Sequence, residues 1–282
     1  MRKGGLTTAT YRAGMADPAL RELLDVCADV AVSAGRRSLA YFGLKPADLG
    51  VEAKGDATPV TIADRAVEDA ARELLDKRYP NHTVKGEERD DKPGDPNFTW
   101  YVDPIDGTKS FVQGVLLYGL LLACLIDDVP RVGAIYLPAL NDLIVAADGE
   151  GCWWNGRRSR CSDATDLSQA TICAGSITRA IDRSDAYRDL ADRAKLNRGW
   201  GDAFGYALVA TGRAEAMIDP KISPWDCAPM PPILREAGGW AGNWDGEQNI
   251  HGPDWLAVSG GLKDEVLATL QKHPSRAGWP RS

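Results

Sequence analysis

The sequence predicts an α+β half followed by an α/β half, built as packed layers, and three observations carry that prediction. Two long amphipathic helical patterns precede the strand-rich part of the chain. A series of short β-rich runs separated by turn residues follows them, and beyond about residue 162 strands and helices alternate. The first helical pattern is Leu20, Leu23, Leu24, Cys27, Val30, Ala31, Ala34 and Leu39, apolar residues recurring three and four apart, which predicts a helix ending near Gly43. Val67, Ala70, Ala71, Leu74 and Leu75 repeat the spacing and predict a second helix from about Thr61 to just before Pro80. From Trp100 the period shortens. Residues 116–126, 132–137, 143–147 and 152–154 are β-rich and divided by Asp-, Pro- and Gly-containing turns, which predicts an antiparallel meander. Later come a strand at 171–174, helices at 187–194 and 204–211, and a strand at 214–218. A helix at 230–237, a strand at 256–259 and a helix from Lys263 to His273 complete the chain. The expected division is a flexible arm over 1–16, a half over 17–160 and a half over 161–282.

Composition bounds the function. The 282 residues are 44% hydrophobic and 26% charged, which excludes disordered and fibrous classes. The longest apolar run, residues 115–126, is 12 residues and reads as buried strand, well short of the roughly 20 needed to span a bilayer. Thirty-three basic and 40 acidic side chains give a formal charge of −7, which argues against nucleic acid or an anionic membrane as partner. No apolar stretch follows Arg2 and Lys3, so a secretory signal is not expected, and the six scattered cysteines read as buried thiols of a cytoplasmic protein.

The acidic excess has a focus. Trp100-Tyr101-Val102 delivers Asp103 at a strand end, Pro104 imposes a turn, and Asp106 follows with Gly107 and Thr108 poised to open a helix. Two carboxylates on one tight loop repel each other, and such a pair is tolerable with a cation between them or one group protonated. Hard oxygen donors suit Mg²⁺. Taken alone, the loop reads more readily as a turn capped by its aspartates. Its company changes the balance: Gly86-Glu87-Glu88 follows another strand end, Pro224-Trp225-Asp226 opens a helix, and Asp64 lies in the first turn of the second helix.

Gly86-Glu87-Glu88, residues 100–108 and Pro224-Trp225-Asp226, with Thr61-Ile62-Ala63-Asp64 ahead of them, resemble the inositol monophosphatase superfamily over roughly residues 20–270. Within it, residues 54–65, 198–202, 206–212 and 236–239 resemble the histidinol-phosphate phosphatase branch. The resemblance implies a five-layer αβαβα sandwich of the inositol monophosphatase/fructose-1,6-bisphosphatase type. It also implies a Mg²⁺-dependent, Li⁺-sensitive phosphomonoesterase with two to three Mg²⁺ per site, acting as a homodimer. Carried over, it gives Glu87, Asp103 and the Ile105 carbonyl to a first Mg²⁺, and Asp103, Asp106 and Asp226 to a second, with Asp64 supporting a third partly through water. Gly107 and Thr108 would offer amides to phosphate, while the Thr108 hydroxyl and Glu87 orient the attacking water. None of His82, His251 and His273 adjoins a motif, so each is expected to be structural or at the surface.

For the substrate body, the resemblance points to Asp202, Ala203 and Asp219; acids at 202 and 219 would favour cationic histidinol phosphate over a neutral polyol. Trp200 is read either as a ring against an imidazole or as a core aromatic. The alternatives are inositol 1-phosphate or another small sugar phosphate such as fructose 1,6-bisphosphate, more distantly a nucleotide 3′-phosphate, and a non-catalytic metal-binding regulatory homologue. One departure from the family pattern is Pro229, Pro231 and Pro232 after Asp226. In a regular helix interior a proline would cost about 3 kcal/mol, which predicts an altered presentation of Asp226.

Overall fold

A computed structural model describes residues 18–53 and 59–279, so the expected arm over 1–16 lies outside the described residues. Two helices come first, α1 (Pro18–Gly35) and α2 (Ile62–Arg78), with a small antiparallel pair, β1 (Glu52–Ala53) and β2 (Pro59–Val60), between them. A seven-stranded sheet follows, with neighbours in chain order: β3 (His82–Gly86), β4 (Asp95–Asp106), β5 (Gly119–Ile126), β6 (Val129–Leu137), β7 (Asp142–Ala147), β8 (Gly151–Trp154) and β9 (Arg157–Arg158). Helix α3 (Thr108–Val112) interrupts it after β4. The pairings from β4 to β9 are antiparallel, as the turn spacing predicts, whereas β3 and β4 run parallel.

The second sheet has the order β11-β10-β12-β14-β13, from β10 (Thr171–Ala174), β11 (Leu196–Arg198), β12 (Ala216–Asp219), β13 (Gly239–Gly242) and β14 (Trp255–Ser259). Its helices are α4 (Ile177–Arg183), α5 (Ala186–Arg193), α6 (Asp202–Ala210), α7 (Pro224–Cys227), α8 (Met230–Ala237) and α9 (Lys263–Lys272).

Strand periodicity makes the layers. In β5, Leu120, Leu122 and Cys124 join the core beneath α1 and α2, while Leu121, Ala123 and Leu125 join the core shared with α6, α8 and the second sheet. In the second sheet, Met217, Trp255 and Ala257 face that shared core, and Ile172, Ala216, Ile218, Leu256 and Val258 face α5 and α9. The result is the five-layer αβαβα arrangement. Both sheets are covered on both faces, which is why their strands read as continuous apolar runs. A small fourth core of Leu49, Ala63, Ile105, Phe111 and Tyr118 lies under α3.

Several expectations need correction. The first helix stops at Gly35 and tightens to a 3₁₀ turn over Arg36–Ala40. A Cβ on Gly35 would lie 2.7 Å from the Tyr136 ring, so the close approach of helix and sheet needs glycine there; Leu39, past the change, is exposed. The run 115–126 is strand only from Gly119; Val115 and Leu116 are exposed in the loop after α3. The short elements α4, β11 and β13 escape periodicity because three to seven residues, polar or glycine-bearing, carry too little pattern.

The prolines do not distort a helix. α7 ends at Cys227, and Pro231 and Pro232 are the second and third residues of a separate helix, with Pro229 just ahead of it. First-turn amides have no intrahelical acceptor, so a missing N–H costs nothing there and the expected penalty does not arise. Among the described residues no helix is long and apolar enough to cross a membrane.

Candidate active site

Strand β4 places the paired acids. Residues three apart on a regular strand point to opposite faces, yet the register slips here: Asp103 pairs with Leu121 and Asp106 with Gly119, so β4 carries one extra residue. This bulge, made at Pro104-Ile105, turns both carboxylates to one side. Ile105 N–H donates to Asp103 Oδ1 at 3.0 Å, fixing the turn. Gly107 then takes φ +91°, and a Cβ on it would lie 2.9 Å from the Leu117 carbonyl oxygen and 3.1 Å from Asp202 Oδ2, so backbone angle and space both demand glycine.

Two helix starts bring further acids by one device. In α2 the Thr61 N–H and hydroxyl donate to Asp64 Oδ2 at 2.8 and 2.6 Å; in α7 the Ser223 N–H donates to Asp226 Oδ2 at 2.9 Å. One oxygen of each acid is tied to its helix start and the other is turned outward. Asp64 Oδ1 meets the Thr108 hydroxyl at 3.3 Å, and that hydroxyl lies 3.0 Å from the Ile105 carbonyl oxygen.

Glu87, Asp103, Ile105, Asp106, Gly107, Thr108, Asp202 and Asp226 line one cavity of about 180 Å³, together with Pro59, Lys109 and Arg179. Carboxylate oxygens of Asp103, Asp106 and Asp226 lie within 4.8 Å of one another, and Asp106 Oδ2 is buried with no hydrogen-bond partner among the described residues. Three converging hard donors with an orphaned oxygen fit a divalent cation.

Electrostatics agree with that fit. Burial first, then the charges of Glu87, Asp106 and Asp226, hold the Asp103 carboxyl well above its ordinary range; burial, then Asp202 and Asp226, do the same to Asp106. Asp226 is raised for the same leading reason. Asp202 is pushed up to about 6 by burial, against the opposing pull of Lys109.

Other expected residues lie elsewhere. Asp64 is fully buried and reaches the cavity through Thr108. Asp219 lies beneath the site, its two oxygens held by the Gly175 N–H at 3.2 Å and the Tyr206 hydroxyl at 2.5 Å; burial pushes its pKa up to about 7. Ala203 faces inward, its Cβ 2.8 Å from where a Cβ on Gly119 would stand. Trp200 is not a core aromatic: it is exposed, with the Arg198 guanidinium 5.8 Å from its ring, and it is not part of the cavity wall. The histidines are away from the site, as expected: His82 stacks between Tyr79 and Phe98, and His273 pairs with Asp189.

Four contributors went unread in the sequence: Lys109, Arg179, Pro59 and Glu68. Glu68 is fully buried, accepting from the Glu88 N–H and from Arg72 Nε, both at 2.7 Å, and so fixes the turn that presents Glu87. Gly86 makes room for it, since a Cβ there would sit 2.2 Å from Glu68 Oε1. A signal existed for Glu68 alone: it stands four residues after Asp64, on the same helix face.

Comparison with known proteins agrees with this architecture. Residues 19–275 match the inositol monophosphatase family. A histidinol-phosphatase of Chlorobaculum parvum is 39% identical over 88% of this chain and 96% of its own length. One from Mycobacterium tuberculosis is 38% identical over 79% and 88%. The solved inositol monophosphatase of Anabaena (Nostoc) sp. superimposes with a TM-score of 0.79 at 28% identity, covering 93% of this chain and all of that one.

Proposed function

The chain belongs to the inositol monophosphatase family and is a phosphoric monoester hydrolase, and we propose that its substrate is L-histidinol phosphate, cleaved to L-histidinol and phosphate. The observation that carries the choice of substrate is Asp202, a carboxylate at the cavity wall between Gly107 and Gly175, where it can meet the cationic amine or imidazolium of a leaving group. The names of the two relatives above support it.

Glu87, Asp103 and the Ile105 carbonyl would hold one Mg²⁺, Asp103, Asp106 and Asp226 a second, and Asp64 would support a third through Thr108 and water. When bound, Mg²⁺ lowers the pKa of the attacking water and neutralises charge on the phosphoryl oxygens and the leaving alkoxide. The protein's own groups do the rest. Asp64 and the Ile105 carbonyl take up the Thr108 hydroxyl hydrogen, which turns an oxygen lone pair toward the cavity to accept from a water molecule. Glu87 lines the same cavity and can accept that water's other hydrogen. Gly107 and Thr108 open α3, where the first amides have no intrahelical acceptor and can donate to phosphoryl oxygens. Water oxygen bonds to phosphorus, the ester P–O bond breaks, and the alcohol leaves with a proton.

A homodimer, a cytoplasmic setting and inhibition by Li⁺ belong to the same proposal. The second reading, inositol 1-phosphate or another sugar phosphate, is favoured by the Anabaena structure and by the ability of Asp202 to accept from a polyol hydroxyl. Phosphate release from histidinol phosphate, inositol 1-phosphate and fructose 1,6-bisphosphate in Mg²⁺ decides between them. The expected outcome is the highest kcat/KM on histidinol phosphate; a clearly higher value on inositol 1-phosphate would overturn the assignment.

A further inference from the structure

We propose that Arg179 is a substrate-binding residue that clamps the phosphoryl group, in the ester and in the released phosphate, from the C-terminal side of the cavity. Strand β10 ends at Ala174, Gly175 donates its N–H to Asp219, and Ser176 caps α4 by accepting the Arg179 N–H at 3.3 Å. Arg179 is therefore in the first turn of α4, and long side chains on a helix lean back toward its start.

That start lies against the phosphate-binding turn by way of one residue. A Cβ on Gly175 would be 3.3 Å from Asp202 Oδ1, and one on Gly107 would be 3.1 Å from Asp202 Oδ2, so a single carboxylate spans from β10's end to the turn that opens α3. Arg179 consequently lines the same cavity as Gly107 and Thr108 although it belongs to the other sheet's half of the chain.

Its lack of a partner is the second observation. Five acids share that cavity, yet among the described residues no carboxylate or carbonyl oxygen holds the Arg179 guanidinium, and the hydrogen bond recorded for it uses the backbone N–H. Elsewhere in the molecule arginines beside acids are engaged, as Arg183 is with Asp254 and Arg89 with Asp69. A guanidinium left free against an acidic cavity is available to an incoming anion. Its planar fork matches two oxygens of a phosphate better than it matches an alcohol. A cationic leaving group would be repelled by it, so the phosphoryl end is the part of the substrate it can serve. Lys109 stands in the same lining, and with divalent cations on the carboxylates the two side chains add positive charge around a dianion.

The proposal rests on reading the carboxylate cluster as the reacting centre, and the test separates the two. Inorganic phosphate is the probe, added to the Mg²⁺-loaded protein. Phosphate should raise the melting temperature of the wild type and compete with the ester. Arg179→Ala should weaken the phosphate inhibition constant and raise KM by about tenfold or more, the scale of a lost charge-assisted hydrogen bond. It should also shrink the phosphate-induced shift while leaving the melting temperature without phosphate unchanged, and Arg179→Lys should fall between. Phosphate inhibition in Arg179→Ala within twofold of wild type would overturn the role of Arg179. Asp103→Asn tests the cluster independently: turnover close to wild type there would remove the reacting centre on which the proposal stands.

Discussion

Asp202 holds a backbone angle of φ +54°, in the left-handed region that costs an L side chain on the order of 1–2 kcal/mol. Aspartate and asparagine bear that conformation better than most residues, which makes the position open to a clean charge test. Asp202→Asn keeps the shape and the backbone tolerance and removes the charge. It is expected to lower kcat/KM on histidinol phosphate by about tenfold, a change of about 1.4 kcal/mol, and to alter it much less on a neutral-bodied ester such as inositol 1-phosphate. Equal loss on both esters would assign Asp202 to structure. At this scale the legibility of the site follows from chemistry that is local in sequence. Asp103, Asp106, Glu87 and Asp226 stand at strand ends or helix starts next to turn residues, so they could be read as a group. Arg179 could not: nothing near it tells that α4 begins against Asp202, which is a matter of sheet order. The burial of Asp219 was hidden for the same reason, since Tyr206 and Gly175 reach it from other elements.

Each element that serves the site ends where the chemistry begins. The bulge in β4 aligns two acids, and the capped starts of α2 and α7 each tie down one carboxylate oxygen and leave the other for the site. The break between α7 and α8 belongs to the same logic, because it gives Asp226 a helix start of its own ahead of the core-facing α8. Prolines in the first turn of α8 are compatible with that break. Pro231→Ala and Pro232→Ala are accordingly expected to leave stability unchanged or to lower it by up to about 1 kcal/mol through a looser unfolded chain. Had the two prolines lain inside a continuous helix, each replacement would stabilise by about 3 kcal/mol, so chemical denaturation of the two variants distinguishes the arrangements. Long elements such as α2 and β5 are legible because burial repeats their period over many residues, and apolar spacing places α8 at 230–237. The helix break is not legible in the sequence, because proline reads as a breaker unless the true first residue is known.

Across the whole molecule the formal charge of −7 is unevenly used, since acids from both halves are buried together at one cavity. Burial raises the pKa of Asp103, Asp106 and Asp226, and takes that of Asp219 to about 7. A carboxyl whose pKa is higher in the folded chain binds more protons folded than unfolded. Its contribution to stability is complete below the unfolded value near 4 and is lost as pH rises through the folded value. Without divalent cations these four groups therefore contribute less to stability at about pH 8 than at about pH 5. A cation replaces the protons, and its stabilisation grows with its affinity, so the benefit of Mg²⁺ must increase with pH over that interval. The measurement is the melting temperature with millimolar MgCl₂ and with EDTA at about pH 5.5 and about pH 8. A larger Mg²⁺-induced rise at the higher pH is expected in the wild type. Asp103→Asn should abolish most of the rise at both values, because it removes a donor common to the two proposed cation positions. A rise that is equal at the two pH values, or that survives in Asp103→Asn, would mean that the cation stabilises the protein somewhere other than this cluster.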